Sequence, residues 1–271
     1  MTIFEAAVLG VVQGVTEFLP ISSTAHLRIV PALLGWTDPG AAFTAVLQLG
    51  TLAAVLAFFA PDLVGIARGA LAAVVDPGRR RDPQGRVAGY LIVGTLPVVI
   101  VGVLFKDAIR GALRALPVIA TALIVVAVAL AVVEKLARHR RAFEEITWSD
   151  VLIIGGAQAL ALIPGVSRSG ITILAAMAIG LRRDAAARFS FLLSIPAVAG
   201  AGIFEMKHVL HSNVGAVPMA IGLLAAGVTG YASIAWLLRF LRTRTMFPFV
   251  GYRIALGLLI FGLLAGGLLQ A

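Results

Sequence analysis

Arg168 stands between Ser167 and Ser169, just past Pro164-Gly165, with apolar sequence on either side. A guanidinium in such surroundings is costly and is rarely kept without a partner. Pro and Gly break the preceding helix, and a serine starts a new one. A fresh helix N-terminus bares N–H groups and a partial positive charge, both of which favour anions. Arginine adds a planar fork of donors matched to phosphate. These residue types together point to a phosphate site at membrane depth.

A second constellation lies near the start of the chain: Gln13, Glu17, Ser22, Ser23, Thr24 and His26, interrupted by Pro20. Glu17 follows Gln13 by one turn on the same helix face. Three jobs are open to its carboxylate: ligand to a divalent cation, base for a water, or ion-pair partner of Arg168. His26 follows Ser23 by three residues, so both face one way on the new helix. Its imidazole can take a proton from Ser23 or give one to a leaving oxygen; in a plain packing role it would bond a carbonyl. Ser22, Ser23, Ser167 and Ser169 could each be only an N-cap; Ser22 reads as one, and Ser23 as a cap or else as nucleophile or phosphate ligand.

The elements that must position these groups follow from the apolar runs. Residues 3–19 form an apolar helix that stops at Pro20, and the helix restarting at Ile21 runs only to about Gly35. An arm of about a dozen residues reaches about 18 Å, short of a hydrocarbon core of roughly 30 Å. Two short arms joined at a Pro-x-Ser-Ser break predict a re-entrant hairpin. Ala41–Ala60, Val87–Phe105 and Leu116–Val133 then span, with a basic loop after the first span. The order repeats: short arms over Val151–Ile163 and Ser167–Gly180, then spans over Ala185–Phe204, Val214–Leu238 and Phe249–Leu269. The fold expected is an all-α integral membrane protein built as an inverted-topology repeat, each half a re-entrant hairpin plus three transmembrane helices. The first repeat covers 1–148 with its hairpin at 3–35, and the second covers 149–271 with its hairpin at 150–181. Meeting tips would bring Gln13, Glu17, Ser22, Ser23, Thr24 and His26 to Ser167, Arg168, Ser169 and Thr172, a set suited to a diphosphate.

Composition agrees and excludes much else. Of 271 residues 60% are hydrophobic and 13% charged, against about 25% charged in soluble domains. No cysteine is present, so disulfides, a thiolate nucleophile and Cys-held metals are excluded. The net charge of +9 sits at segment ends, which argues for a lipid bilayer and against a nucleic-acid partner. Under the expected topology the basic residues from Arg68 to Arg86, Lys135 to Arg141, Arg182 to Arg188 and Arg239 to Arg244, with Arg253, share one face. Arg28, Lys106, Arg110, Arg114 and Lys207 share the other. The heavier face should be cytoplasmic, with both termini outside and the Arg168 hairpin entering from the cytoplasm. Glu134 and Lys135 read as an interfacial pair.

Two stretches resemble one family. Gln13-x-x-x-Glu17 followed by Phe18-Leu19-Pro20-Ile21-Ser22-Ser23-Thr24-Ala25-His26-Leu27, and Pro164-Gly165-Val166-Ser167-Arg168-Ser169-Gly170-Ile171-Thr172, are similar to the two signatures of bacterial undecaprenyl-diphosphatases, the bacitracin-resistance family. The resemblance covers nearly the whole chain. It implies hydrolysis of undecaprenyl diphosphate to undecaprenyl phosphate and inorganic phosphate, which recycles the lipid carrier for cell-wall synthesis and confers bacitracin resistance. It implies a multi-pass protein of the bacterial plasma (inner) membrane with its site open to the outer face, dependent on a divalent cation, Mg2+ or Ca2+. The functional positions it carries over are Glu17, Ser23, His26 and Arg168, with Gln13, Ser22, Thr24, Ser167, Ser169, Gly170 and Thr172 around the substrate and Glu17 toward the metal. Gln13 stands where the family pattern allows a first acidic residue, so Glu17 would act with phosphate oxygens and waters. A homodimer is left open by the sequence. The competing class is a lipid-phosphate flippase or anion transporter, since paired broken helices are also a transporter architecture. Glu17, Ser23 and His26 beside the anion site weigh for an enzyme, because a carrier needs no such proton-handling set.

Overall fold

Proline placement decides where two of the short helices stop. Helix α1 (Ile3–Phe18) begins at Thr2, whose hydroxyl accepts from the Glu5 N–H at 3.2 Å while the Glu5 carboxylate accepts from the Thr2 N–H at 2.7 Å. It ends because Pro20 drives Leu19 into extended backbone, at φ −67° and ψ 142°. Helix α8 (Trp148–Ala159) opens on the same reciprocal cap, between Thr147 and Asp150. A 3-10 turn at Leu160–Leu162 follows, and Ile163, ahead of Pro164, is extended at φ −79° and ψ 115°. The chain restarts as α2 (Ser23–Leu34) and α9 (Arg168–Ala178). The residues just before them, Ser22 and Ser167, are left-handed at φ 73° and 72°. Non-glycine residues hold that conformation rarely, and such strain clusters at functional turns.

The computed structural model describes residues 1–37, 40–76, 83–209 and 215–269. Between and after the short helices lie α3 (Gly40–Phe58), α4 (Ala60–Val75), α5 (Pro83–Leu104), α6 (Lys106–Arg110), α7 (Leu116–Leu136), α10 (Arg183–Val209), α11 (Ala216–Leu241) and α12 (Phe247–Ala265). By length and composition, five of them, α5, α7, α10, α11 and α12, can cross a membrane; α3 and α4, bent by 76° at their junction, make a sixth if taken as one span. The protein is therefore an all-helical, multi-pass membrane protein.

Three expectations from the sequence need correction. The segment after Ala60 is not a loop: Pro61 in the first turn starts α4, which carries Arg68. Arg79, Arg80 and Arg81 lie outside the described residues, as do the side chains of Arg110 and Lys207. Glu134 does not pair with Lys135, since neighbours in a helix point apart. Its buried carboxylate instead pairs with Arg183 and accepts from the Met246 N–H at 3.3 Å, tying α7 to the starts of α10 and α12. Arg253, placed above on a membrane face, is fully buried.

Glycine lets the short helices sit backbone to backbone, which is how helices associate without a hydrophobic driving force between them. Helix α1 packs against α11, and α8 against α5. A Cβ at Gly10 would lie 2.4 Å from the Gly222 carbonyl oxygen, and one at Gly155 would lie 2.5 Å from that of Gly94. Near the end of α1, Phe18 is buried, and its ring meets Phe191 of α10 edge-on at 5.3 Å. Substituting Leu for Gly155 is expected to push α8 off α5 and to cost about 1–3 kcal/mol. A thermal melt in detergent should show the loss, and an unchanged midpoint would mean that the contact contributes nothing.

Candidate active site

The two helix breaks meet at one carboxylate. Glu17, in the last turn of α1 and 7% exposed, accepts from Arg168 Nη2 at 2.8 Å through Oε1. Its Oε2 accepts from Gln13 Nε2 at 2.9 Å and from Ser23 Oγ at 2.6 Å. Arg168 is the first residue of α9 and Ser23 the first of α2, so both helix N-termini abut the ion pair. Ser169 Oγ adds a second stitch between the breaks, donating to the Leu19 carbonyl at 3.0 Å.

Around this junction, three buried polar atoms have no partner among the described residues: Gln13 Oε1, Ser22 Oγ and Arg168 Nη1. Buried polar atoms are nearly always bonded, so a cluster of exceptions marks the place of a missing polar partner. Ser22 was read above as a cap. It makes no capping bond, and its buried hydroxyl has no partner among the described residues. Ser167, at almost the same φ, does cap: its Oγ accepts from the Gly170 N–H at 3.1 Å and lies 3.1 Å from Ser169 Oγ. The N-terminus of α9 is thus partly satisfied from within, and that of α2 is left open.

Other members of the expected set are engaged elsewhere. Thr172 is fully buried; its hydroxyl donates to the Arg168 carbonyl at 2.7 Å and lies 2.6 Å from Ser190 Oγ of α10, which locks the first turn of α9. Thr24 is half-buried in the first turn of α2. His26 reaches neither Ser23 nor Glu17 with its ring nitrogens. Nδ1 lies 2.7 Å from the Ser22 carbonyl and Nε2 lies 2.6 Å from Tyr252 Oη. Among the described residues, no group of three or more His, Cys, Asp or Glu side chains is placed to hold a metal ion. A cavity of about 340 Å³ beside Asp62, Arg86 and Arg188 and an apolar one between α3 and α11 lie away from this junction; the chemistry gathers at the breaks.

Sequence reasoning missed two residues of α12. Arg253 sends its donors to five backbone carbonyls: Leu123 at 3.1 Å, Ala122 at 3.3 Å, Pro20 at 3.0 Å, Gly165 at 2.9 Å and Val166 at 3.1 Å. Pro20 belongs to the first break, Gly165 and Val166 to the second. Carbonyls freed where a helix breaks have no water to bond in a bilayer, and this guanidinium takes them up from both sides at once. Tyr252, its neighbour, holds His26. The signal that identified Arg168, one basic residue within an apolar run, was present for Arg253 too. It was lost because Arg253, close to the start of the expected span over Phe249–Leu269, was counted with the basic residues of the adjoining face. Arg253→Lys supplies three donors in a compact head where five bonds are needed. Its expected effect is a clear drop in both detergent melting temperature and activity. Wild-type values for both would show that the carbonyls need no such clamp.

Residues 6–259 match the protein family described as bacitracin resistance protein BacA. An undecaprenyl-diphosphatase of Myxococcus xanthus (strain DK1622) is 54% identical over 276 residues, covering 100% of this chain and 92% of its own. One of Chlorobium phaeobacteroides (strain BS1) is 50% identical over 283 residues and 100% of both chains. One of Synechocystis sp. (strain ATCC 27184 / PCC 6803 / Kazusa) is 50% identical over 275 residues, covering 98% of this chain and 84% of its own.

Proposed function

The chain belongs to the bacitracin resistance protein BacA family and hydrolyses undecaprenyl diphosphate to undecaprenyl phosphate and inorganic phosphate, and from that premise we propose how its residues do so. The observation that carries the reading is the Glu17–Arg168 pair at 2.8 Å, ringed by the unpartnered Gln13 Oε1, Ser22 Oγ and Arg168 Nη1.

Arg168 holds the carboxylate with Nη2 and keeps Nη1 for a phosphate oxygen, so one guanidinium orients both reactants. The open N-terminus of α2 and the Ser22 hydroxyl take further oxygens of the terminal phosphate. Ser23 Oγ already donates to Glu17 Oε2. As Oγ attacks the terminal phosphorus, its proton passes to Glu17, the anhydride bond breaks and undecaprenyl phosphate leaves. Water then cleaves the phosphoserine, restoring the serine hydroxyl and releasing inorganic phosphate. Arg168 and the helix end stabilise charge on the phosphoryl group throughout.

A divalent cation, Mg2+ or Ca2+, fits this donor set on one observation: Gln13 Oε1 is a buried oxygen without a partner on the residue that bonds Glu17. Gln13 and Glu17 would hold the ion together with diphosphate oxygens and water. When bound, it would offset the substrate's charge and polarise a phosphoryl oxygen.

The proposed architecture is an inverted repeat of two re-entrant hairpins, each followed by three spans, in the plasma membrane with the site open to the outer face. A register of about 145 residues supports it. Thr2 answers Thr147 as cap, Gly10 answers Gly155 as close contact, Gln13 answers Gln158, and Ser22 answers Ser167 as left-handed turn. Helix pairing follows the same exchange: α1 on α11 mirrors α8 on α5, while α3 meets α10 and α7 meets α12.

Two measurements test this. Purified Glu17→Ala and Arg168→Ala should each lose at least about 100-fold in orthophosphate release in detergent, with no gradient present. Phosphorylated Ser23 should be trapped by mass spectrometry during turnover of the native protein. Near-normal release by either variant removes its assigned role, and release by the native protein separates an enzyme from a carrier. For the topology, a reporter fused to the C-terminus should be active only outside the cytoplasm, and cytoplasmic activity overturns the arrangement.

A further inference from the structure

His26 lies beside Ser23 in sequence but is bonded as a strut. The Ser22 carbonyl offers only lone pairs, so the 2.7 Å contact requires the proton on Nδ1. Nε2 then carries the lone pair, and Tyr252 Oη, 2.6 Å away, donates to it. The two rings are nearly parallel, with centroids 5.6 Å apart and 9° between their planes. Both imidazole nitrogens are thereby engaged. Ser23 has its own acceptor in Glu17.

We propose that Tyr252 and His26 form a brace on the left-handed turn at Ser22, so that His26 serves the reaction by positioning Ser22 and Ser23 and not as the base for Ser23. The proposal rests on the roles given to Glu17 and Ser23 above. Ser22 has φ 73° and ψ 95°, a conformation that relaxes unless neighbours hold it. Its carbonyl is held by His26, and the carbonyl of Pro20, two residues earlier, is held by Arg253 at 3.0 Å. Adjacent residues of α12 thus grip the break on both sides, one directly and one through the imidazole. The grip leaves Ser22 Oγ without a protein partner and sets Ser23 on Glu17. Tyr252 and His26 are positioning residues in this scheme: neither needs to touch the phosphate.

The test uses the full-length protein in detergent with undecaprenyl diphosphate. His26→Asn keeps an N–H donor where Nδ1 stood but cannot take a proton; His26→Ala removes both. A brace predicts that kcat of the Asn variant exceeds that of the Ala variant by about tenfold, the worth of one hydrogen bond. A base predicts that the two are equally impaired, and that result overturns the proposal. Tyr252→Phe keeps the stacked ring and removes only the hydroxyl. It should lower kcat by about fivefold with little change in KM, and should add nothing to the loss in His26→Ala, because it acts through His26. Losses that multiply in the double variant also overturn the brace. Glu17→Ala run alongside separates the two levels of failure. Retained turnover there sinks the reading of the site and this proposal with it; lost turnover with equal Asn and Ala variants sinks the proposal alone. Thermal melts of the same samples establish that each variant is folded.

Discussion

A helix broken inside a bilayer bares carbonyls on one side of the break and N–H groups on the other, and neither can turn to water. Both breaks here are made by proline, at Pro20 and Pro164, and the two kinds of bare group are treated differently. The carbonyls of Pro20, Gly165 and Val166 are taken up by Arg253, and that of Leu19 by Ser169. The N–H groups are satisfied by the protein only in part, through Ser167 on α9. Acceptors are thus closed off permanently while donors stay available. A break arranged this way is a site for an anion, and the polarity follows from the backbone before any side-chain charge is counted.

The two arginines then divide the electrostatic work. Arg253 has its bonds in carbonyls and none in a carboxylate, so its charge is dispersed over the scaffold and still felt at the junction. Arg168 is bonded on one side to Glu17, and its Nη1 has no partner among the described residues. Two guanidiniums and one carboxylate leave the junction with an excess of positive charge, which a diphosphate would balance. A buried ion pair alone is weak support for stability. Here its value lies in geometry, because Glu17 is held at once by Gln13, Ser23 and Arg168 and cannot rotate away from the serine it serves.

Much of this was legible in the sequence, and the failures have physical causes. Pro20 and Pro164 announce the breaks because proline restricts the residue before it, and Arg168 announces a buried anionic partner, one of which is Glu17. Arg253 was missed because, near the start of the last span, it was counted with the basic residues of the adjoining face, whereas tertiary packing buries it completely. Helix α4 was missed because Pro61 and the arginines that follow read as a loop, whereas a proline in the first turn also starts a helix. Ser22 was taken for a cap because its type permits one; Ser167, at almost the same φ, does cap, so residue type and turn conformation together do not decide which serine bonds its own helix. His26 was set against Ser23 by spacing of three, a rule about neighbours on one helix. Its real partner, Tyr252, comes from the other end of the chain.

The register between the two halves also accounts for the position of the chemistry. In the proposed repeat, Ser23 and Arg168 occupy equivalent positions, each the first residue of its restarted helix. The position answering Glu17 is Leu162, in the second half's 3-10 turn. The scaffold is therefore shared, with left-handed serines and capped starts on both sides, while the reacting groups are not. If both tips had carried a carboxylate, two like charges would face each other at the axis; if both had carried arginine, nothing would remain to take a proton. In the proposed mechanism the nucleophile and its carboxylate lie on one tip and the cation on the equivalent point of the other, where the Glu17–Arg168 pair joins the two breaks. On the proposed reading neither half supplies the full set of groups, which would put the site at the axis of the repeat and not within either hairpin.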